Sequence, residues 1–200
     1  MMASSSSAQP RVVRVNRAPV LTLWAAVVAH ALGHPWEEAL TIGRVVAGLA
    51  AHRKGVALGL YEPRPKAEAP ASRPRPRAAE TRRIHVLGFP VEEVRTPAGW
   101  RAVDSQGRPI APAAVERYLR RRFGAAYPAV RAALEALAAA YPRETLARQA
   151  WRLYEAFRPR VPRGVAGWGK PGVLDLARIH ALTRTALAAN APRAAGTEPE

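Results

Sequence analysis

The chain has 200 residues and no cysteine, and its 31 lysine and arginine residues against 15 aspartate and glutamate residues give a formal net charge of +16. The length suits one domain, or one domain with a small appendage. The lack of cysteine excludes disulfides, thiolate metal sites and cysteine nucleophiles, and it favours a cytoplasmic location. The charge indicates a polyanionic partner. However, only three of the basic residues are lysines, so GC-rich coding bias is an alternative source of the arginines.

The first 17 residues are predicted to form a disordered tail, within which residues 11–16 could also form a short strand. The three arginines at positions 11, 14 and 17 precede an apolar run, Val20 to Leu32, as in a secretory signal. The run leads directly into a well-marked second helix and is shorter than the roughly 20 residues that cross a bilayer. We therefore interpret it as a core helix and predict no membrane association.

Residues 18–61 are predicted to form a helical hairpin that resembles a helix-turn-helix, with helices over residues 19–32 and 35–54. The first helix is apolar on nearly every side and should be buried. The second starts with Pro35, carries Glu37 and Glu38 in its first turn, and is predicted to end at Gly55. A glycine-containing turn between two helices is typical of a DNA-reading motif, with Arg44, Arg53 and Lys54 as candidate contacts. The two glutamates would repel phosphates, which favours a plain hairpin in the core.

Small residues recur along one ridge of the second helix, at Ala39, Gly43, Ala47 and Ala50. Spacings of four and three residues place them on one face, where another helix can approach closely.

Residues 62–83 hold five prolines and seven basic residues against three acidic ones, without apolar periodicity. Proline at this density favours solvated, extended backbone, so the segment is predicted to be a flexible linker.

The region 84–190 is predicted to be α+β and mostly helical. Strand-like runs at residues 84–89 and 99–103 indicate a small β-hairpin or three-stranded element. Helices are predicted over residues 112–123, 128–140 and 142–157, and a last helix is capped by Asp175 and ends at Asn190, before a disordered tail at 191–200. The predicted fold is mainly α, with an N-terminal hairpin, a linker, a small β element and a four-helix C-terminal part.

The strongest basic surface is predicted on the helix 112–123, where an apolar stripe lies opposite a cluster of arginines. The stripe is Val115, Tyr118 and Leu119, and the cluster is Arg117, Arg120, Arg121 and Arg122. Such a helix could lie on a phosphate backbone, or its arginines could form a solvated face paired with Glu116.

One segment, residues 164–171, has the spacing of a phosphate-binding loop. Pro171 stands where a magnesium-binding hydroxyl is needed, and no buried strand precedes the segment, so we interpret it as a glycine-rich turn. His30 and His34 are four residues apart, but Gly33 separates them and breaks the geometry of a metal site. We predict no catalytic residue, no metal and no cofactor, and hence no enzymatic activity.

The sequence predicts a non-enzymatic protein that binds nucleic acid, with DNA favoured over RNA, mainly through phosphate contacts from arginine-rich helices. The alternative is a protein-interaction or regulatory subunit, whose partner covers Trp100, Trp151 or Trp168.

Overall fold

The structure, a computed structural model, describes residues 11–60, 80–161 and 170–190. The described residues form six α-helices and five strands, which confirms a mainly α fold. The helices are α1 (Arg17–Ala31), α2 (Trp36–Ala57), α3 (Pro112–Phe123), α4 (Tyr127–Ala139), α5 (Arg143–Phe157) and α6 (Leu176–Asn190). The strands are β1 (Val12–Val15), β2 (Thr81–Val86), β3 (Phe89–Thr96), β4 (Gly99–Ala102) and β5 (Gly172–Asp175).

Helix α1 is the centre of the fold. Every residue from Pro19 to Ala29 is buried, as the apolar character of all its sides predicts. Helices α2, α3, α4 and α5 all pack against it. The indole of Trp24 is fully buried, and its Nε1 donates a hydrogen bond to the backbone oxygen of Ala150, 2.8 Å away on α5. The helices before and after the predicted linker therefore share one core.

Helices α1 and α2 lie very close together at Gly43, within the predicted small-residue ridge. A Cβ atom built on Gly43 would lie 2.2 Å from the backbone oxygen of Thr22 and 2.9 Å from the backbone nitrogen of Ala26. No side chain fits at such distances, so glycine is required here for steric rather than conformational reasons. Ala39 and Ala47 on the same ridge are buried as well.

Helix α2 extends beyond the end predicted from Gly55. Gly55 is a buried position inside the helix, which continues to Ala57. The chain leaves the helix at Gly59, whose φ of +67° is a left-handed conformation that glycine adopts without strain. The prediction chose Gly55 because it directly follows Arg53 and Lys54, whereas Gly59 follows an apolar residue.

The sheet β2-β3-β4 is antiparallel throughout. Residues 84–89 were predicted as one strand-like run, but the two-residue turn Leu87-Gly88 divides them between β2 and β3. Both turn residues have positive φ, which matches the twist of a hairpin, and the Leu87 side chain is buried in the core. The strand β2 begins at Thr81, so the end of the predicted linker 62–83 is wrong by three residues. Linker positions 62–79 lie outside the described residues.

A second, two-stranded sheet pairs β1 with β5, from Val12 opposite Asp175 to Val15 opposite Gly172. The described part of the predicted N-terminal tail is thus structured, as the alternative of a short strand at residues 11–16 allowed. The strand β5 was not predicted, because it is four residues long and follows a glycine-rich stretch.

The C-terminal helices agree with their predicted bounds to within one residue. Asp175 caps α6: its Oδ1 accepts a hydrogen bond of 2.9 Å from the backbone nitrogen of Ala177. At the other end of α6, the Asn190 side chain donates to the backbone oxygen of Ala140, 2.8 Å away. The second contact holds the end of α6 on the end of α4. The predicted tail 191–200 lies outside the described residues.

Candidate nucleic-acid-binding surface

Helix α3 has the two faces that its sequence predicts. Val115, Leu119 and Phe123 are buried in the core. The four arginines at positions 117, 120, 121 and 122 are all exposed on the other side. A period of 3.6 residues places the apolar side chains on one stripe, and the arginines are left to solvent.

The exposed arginines differ in how far carboxylates neutralise them. Arg120 forms an ion pair of 2.8 Å with Glu116, one helical turn earlier, and its guanidinium lies 5.1 Å from the centre of the Tyr127 ring. Arg117 and Arg121 form no ion pair with any residue that the structure describes. Their charges are available to a polyanion without displacing a carboxylate.

The ring of Tyr118 brings α2 and α3 together. The guanidinium of Arg44 on α2 lies 5.3 Å from the centre of this ring, and that of Arg122 lies 5.6 Å from it. In contacts of this kind the ring attracts the guanidinium electrostatically. The structure therefore joins Arg44 to the arginine cluster of α3, although more than 70 residues separate them in sequence. We call Arg44, Arg117, Arg120, Arg121 and Arg122 the α3 basic surface.

Arg53 and Lys54 do not belong to this surface. They lie nine and ten residues after Arg44 on α2, and nine residues correspond to about 2.5 helical turns, so Arg53 points to the opposite side. Arg53 stacks over Phe89 at 4.5 Å from the ring centre, and both basic residues line a cavity. The residues predicted to contact nucleic acid therefore lie in two places: Arg44 lies on the α3 basic surface, and Arg53 and Lys54 lie at the cavity.

The first turn of α2 is joined to the three-stranded sheet by two ion pairs. Glu37 accepts a hydrogen bond of 2.6 Å from Nη2 of Arg101, a buried residue of β4. Glu38 is buried and accepts one of 2.7 Å from Nη2 of Arg82 on β2. A helix whose first turn is held in this way does not present it to a DNA groove, and this supports the plain-hairpin interpretation of residues 18–61.

Behind this contact lies a network of two buried carboxylates joined by one guanidinium. Arg82 Nη2 contacts Glu38, and its Nε donates 2.8 Å to Oε2 of Glu93, whose side chain has no exposed surface. His34 hydrogen-bonds to Glu38 through Nδ1. The Arg82 guanidinium also stacks over Trp100, 4.3 Å from the ring centre. The network attaches the sheet to α2.

The pKa of the Glu93 carboxyl is raised, mainly by burial, and the nearby charge of Glu38 adds to the rise; the hydrogen bond from Arg82 opposes it. Glu93 Oε1 has no hydrogen-bond partner among the described residues. This carboxylate is therefore costly to ionise, and its position between elements gives it a structural role in the fold.

Sequence reasoning missed this network. The signal was present: Arg82 and Glu93 face each other in the β2–β3 register, and Arg83 faces Glu92 in the next pair. This pairing can be recognised only if the hairpin turn is placed at Leu87-Gly88, and the sequence prediction put these two residues inside a strand.

The other candidate features from the sequence are the histidine pair and the loop-like segment, and the structure adds little support for either as a binding site. His30 is exposed, and its Nδ1 lies 2.9 Å from the backbone oxygen of His34. In the described ranges no group of three or more histidine, aspartate or glutamate residues is arranged to hold a metal ion. Of the loop-like segment 164–171, residues 164–169 lie outside the described residues, as does Trp168.

Within the described residues, no helix is both long and apolar enough to cross a membrane. Comparison with known proteins adds no relative: no protein-family model, curated protein or solved structure matches this chain.

Proposed function

We propose that the protein binds nucleic acid, with duplex DNA as the preferred partner, through phosphate contacts from the α3 basic surface. The observation that carries this proposal is the convergence of Arg44 with the arginines of α3 around Tyr118. Five exposed guanidiniums lie there on two adjoining helices, and Glu116 is the one carboxylate paired with them among the described residues.

The chemistry favours phosphates over base edges. Guanidinium groups donate in a planar fork that matches the oxygens of a phosphate, and they remain charged at every physiological pH. The exposed positions of α3 carry no asparagine or glutamine, the side chains that pair with adenine. Binding should therefore depend weakly on sequence and strongly on salt.

The test is the affinity for a labelled mixed-sequence DNA duplex at low salt, measured by fluorescence anisotropy. The informative variant is Arg117→Glu with Arg121→Glu, because neither arginine has an ion pair to lose among the described residues. The matched control is Arg152→Glu with Arg184→Glu, which changes the net charge equally at exposed positions of α5 and α6. We expect the α3 variant to bind at least tenfold more weakly and the control to lose much less.

Equal losses in the two variants would mean that net charge alone attracts DNA and that no particular surface binds it. A matched single-stranded RNA in the same titration tests the preference for duplex DNA.

The alternative, a protein-interaction subunit, predicts a different response. Trp100 and Trp151 are half-buried aromatic side chains, and a protein partner could cover their exposed parts. Burial of such an aromatic patch should be insensitive to salt, whereas phosphate binding weakens steeply as salt rises.

A further inference from the structure

A cavity of about 680 Å³ lies beside the C-terminal half of α2, between α1, α2, α5 and the start of β3. Its volume is within the usual range of small-molecule sites. Its walls are apolar and partly aromatic, and include Leu21, Ala47, Phe89, Trp151 and Tyr154. The Trp151 ring packs against both Phe89 and Tyr154, with ring centres 5.4 Å and 5.5 Å apart, so the aromatic wall is preformed.

The charges that line this cavity are all positive in the described chain: Arg17, Arg53, Lys54, Arg158 and Lys170. Arg17 is held in place because its Nε donates to the backbone oxygen of Pro159 at 3.1 Å. Lys54 and Lys170 are exposed and form no ion pair with a described residue. Among the described lining residues, an anion at this site would meet several cations and no carboxylate.

The neutral polar groups of the lining are few. Tyr154 is one, and its hydroxyl donates to the backbone oxygen of Arg17 at 3.4 Å. Burial raises the pKa of Tyr154 to about 12, so the phenol adds no negative charge. Asn16 and the indole N–H of Trp151 are the other neutral polar side-chain groups among the described lining residues. A nucleobase needs several hydrogen-bond partners along its edges, and these walls offer it too few.

We infer that this cavity binds an alkyl-chain anion of the fatty-acid type, with the chain along the aromatic and alanine wall and the head group at the Lys54 and Lys170 rim. The inference does not depend on nucleic-acid binding, because no residue of the α3 basic surface lines the cavity. From sequence, Arg53 and Lys54 were candidate contacts to nucleic-acid phosphates. In this proposal their ligand is instead the head group of a small anion.

The test is calorimetric titration of the full chain with laurate below its micelle concentration. Two further probes separate the parts of the ligand: dodecanol has the chain without the charge, and acetate has the charge without the chain. We expect saturable 1:1 binding of laurate, binding of dodecanol at least tenfold weaker, and no detectable binding of acetate. Equal affinities for laurate and dodecanol would contradict recognition of an anion.

Two variants locate the site. Lys54→Glu with Lys170→Glu should weaken laurate binding at least tenfold, and Ala51→Phe should reduce it by filling the cavity beside the half-buried Ala51. Arg117→Glu with Arg121→Glu is the control with the same charge change, and it should bind laurate as the unmodified protein does. If laurate does not bind to the folded protein, or binds equally to all three variants, the inference is wrong.

Discussion

The packed and open sides of α2 show how differently one helix can use its neighbours. On the packed side, Gly43 lies against the α1 backbone and Glu38 is joined to Arg82 of the sheet. On the open side, Arg44 lies over Tyr118 beside the arginines of α3. Arginine is abundant in both regions, but in the first it neutralises buried carboxylates and in the second it leaves a surplus of positive charge. The number of arginines therefore does not indicate function by itself, whereas their pairing does.

The largest expected effect comes from breaking the packed side at Gly43. Gly43→Ala places a Cβ atom 2.2 Å from a backbone oxygen of α1, and neither helix can move without disturbing the core. We expect the free energy of unfolding to fall by at least about 3 kcal/mol, measured by urea denaturation.

Gly48→Ala is the matched control on the same helix, because nothing lies within 4 Å of the added Cβ. Alanine has the higher helix propensity, so this variant should be more stable by up to about 1 kcal/mol. Equal destabilisation of the two variants would contradict the described contact between α1 and α2.

The next largest effect on stability is expected when an arginine that is paired with carboxylates is replaced, and an unpaired arginine serves as the comparison. Arg82→Met leaves Glu38 and Glu93 buried without their common cation. We expect a loss of about 2–4 kcal/mol in the free energy of unfolding, less than for a fully buried pair because the Arg82 side chain is 35% exposed. Arg121→Met should change stability by less than about 0.5 kcal/mol. Similar losses in both would show that the network is not what attaches the sheet.

A smaller effect is expected from the pH dependence of stability at Glu93. Its pKa is raised in the folded protein, so between pH 4.5 and that raised value the native state binds more protons than the unfolded chain. This group therefore lowers stability as pH rises through that window. Glu93→Gln removes the contribution, and its free energy of unfolding relative to the unmodified protein should increase from pH 4 to pH 8.

Chemical denaturation of both proteins across that range checks the sign, because contributions from groups that do not interact with Glu93 cancel in the difference. A difference that is constant, or that decreases with pH, would contradict a raised pKa for Glu93.

Much of the fold could be predicted from the sequence because local signals mark it. Pro112 and Gly124 bound α3, and the apolar stripe beginning at Val115 identifies its inner face. The ridge around Gly43 correctly indicated close helix packing, because small side chains have few other reasons to recur at helical spacing. These features depend on residues near each other in the chain.

The features that could not be predicted depend on pairing across the chain. The strand β5 is defined by its partner β1, about 160 residues earlier, and its four residues carry no strong pattern of their own. Likewise, nothing local distinguishes Arg53, which lines the cavity, from Arg44, which joins α3 through Tyr118. For the candidate site, sequence identified the helix of the surface, and the structure showed which distant arginine lies beside it.

The most direct test of phosphate binding by the α3 basic surface is the salt dependence of DNA affinity. Each phosphate contact contributes about 0.9 to the slope of log K against log salt concentration, so losing Arg117 and Arg121 should reduce that slope by about 1.8. We predict this reduction for Arg117→Glu with Arg121→Glu, and a nearly unchanged slope for Arg152→Glu with Arg184→Glu. The same slope in the unmodified protein and the α3 variant, or no DNA binding at low salt, would contradict the proposed function.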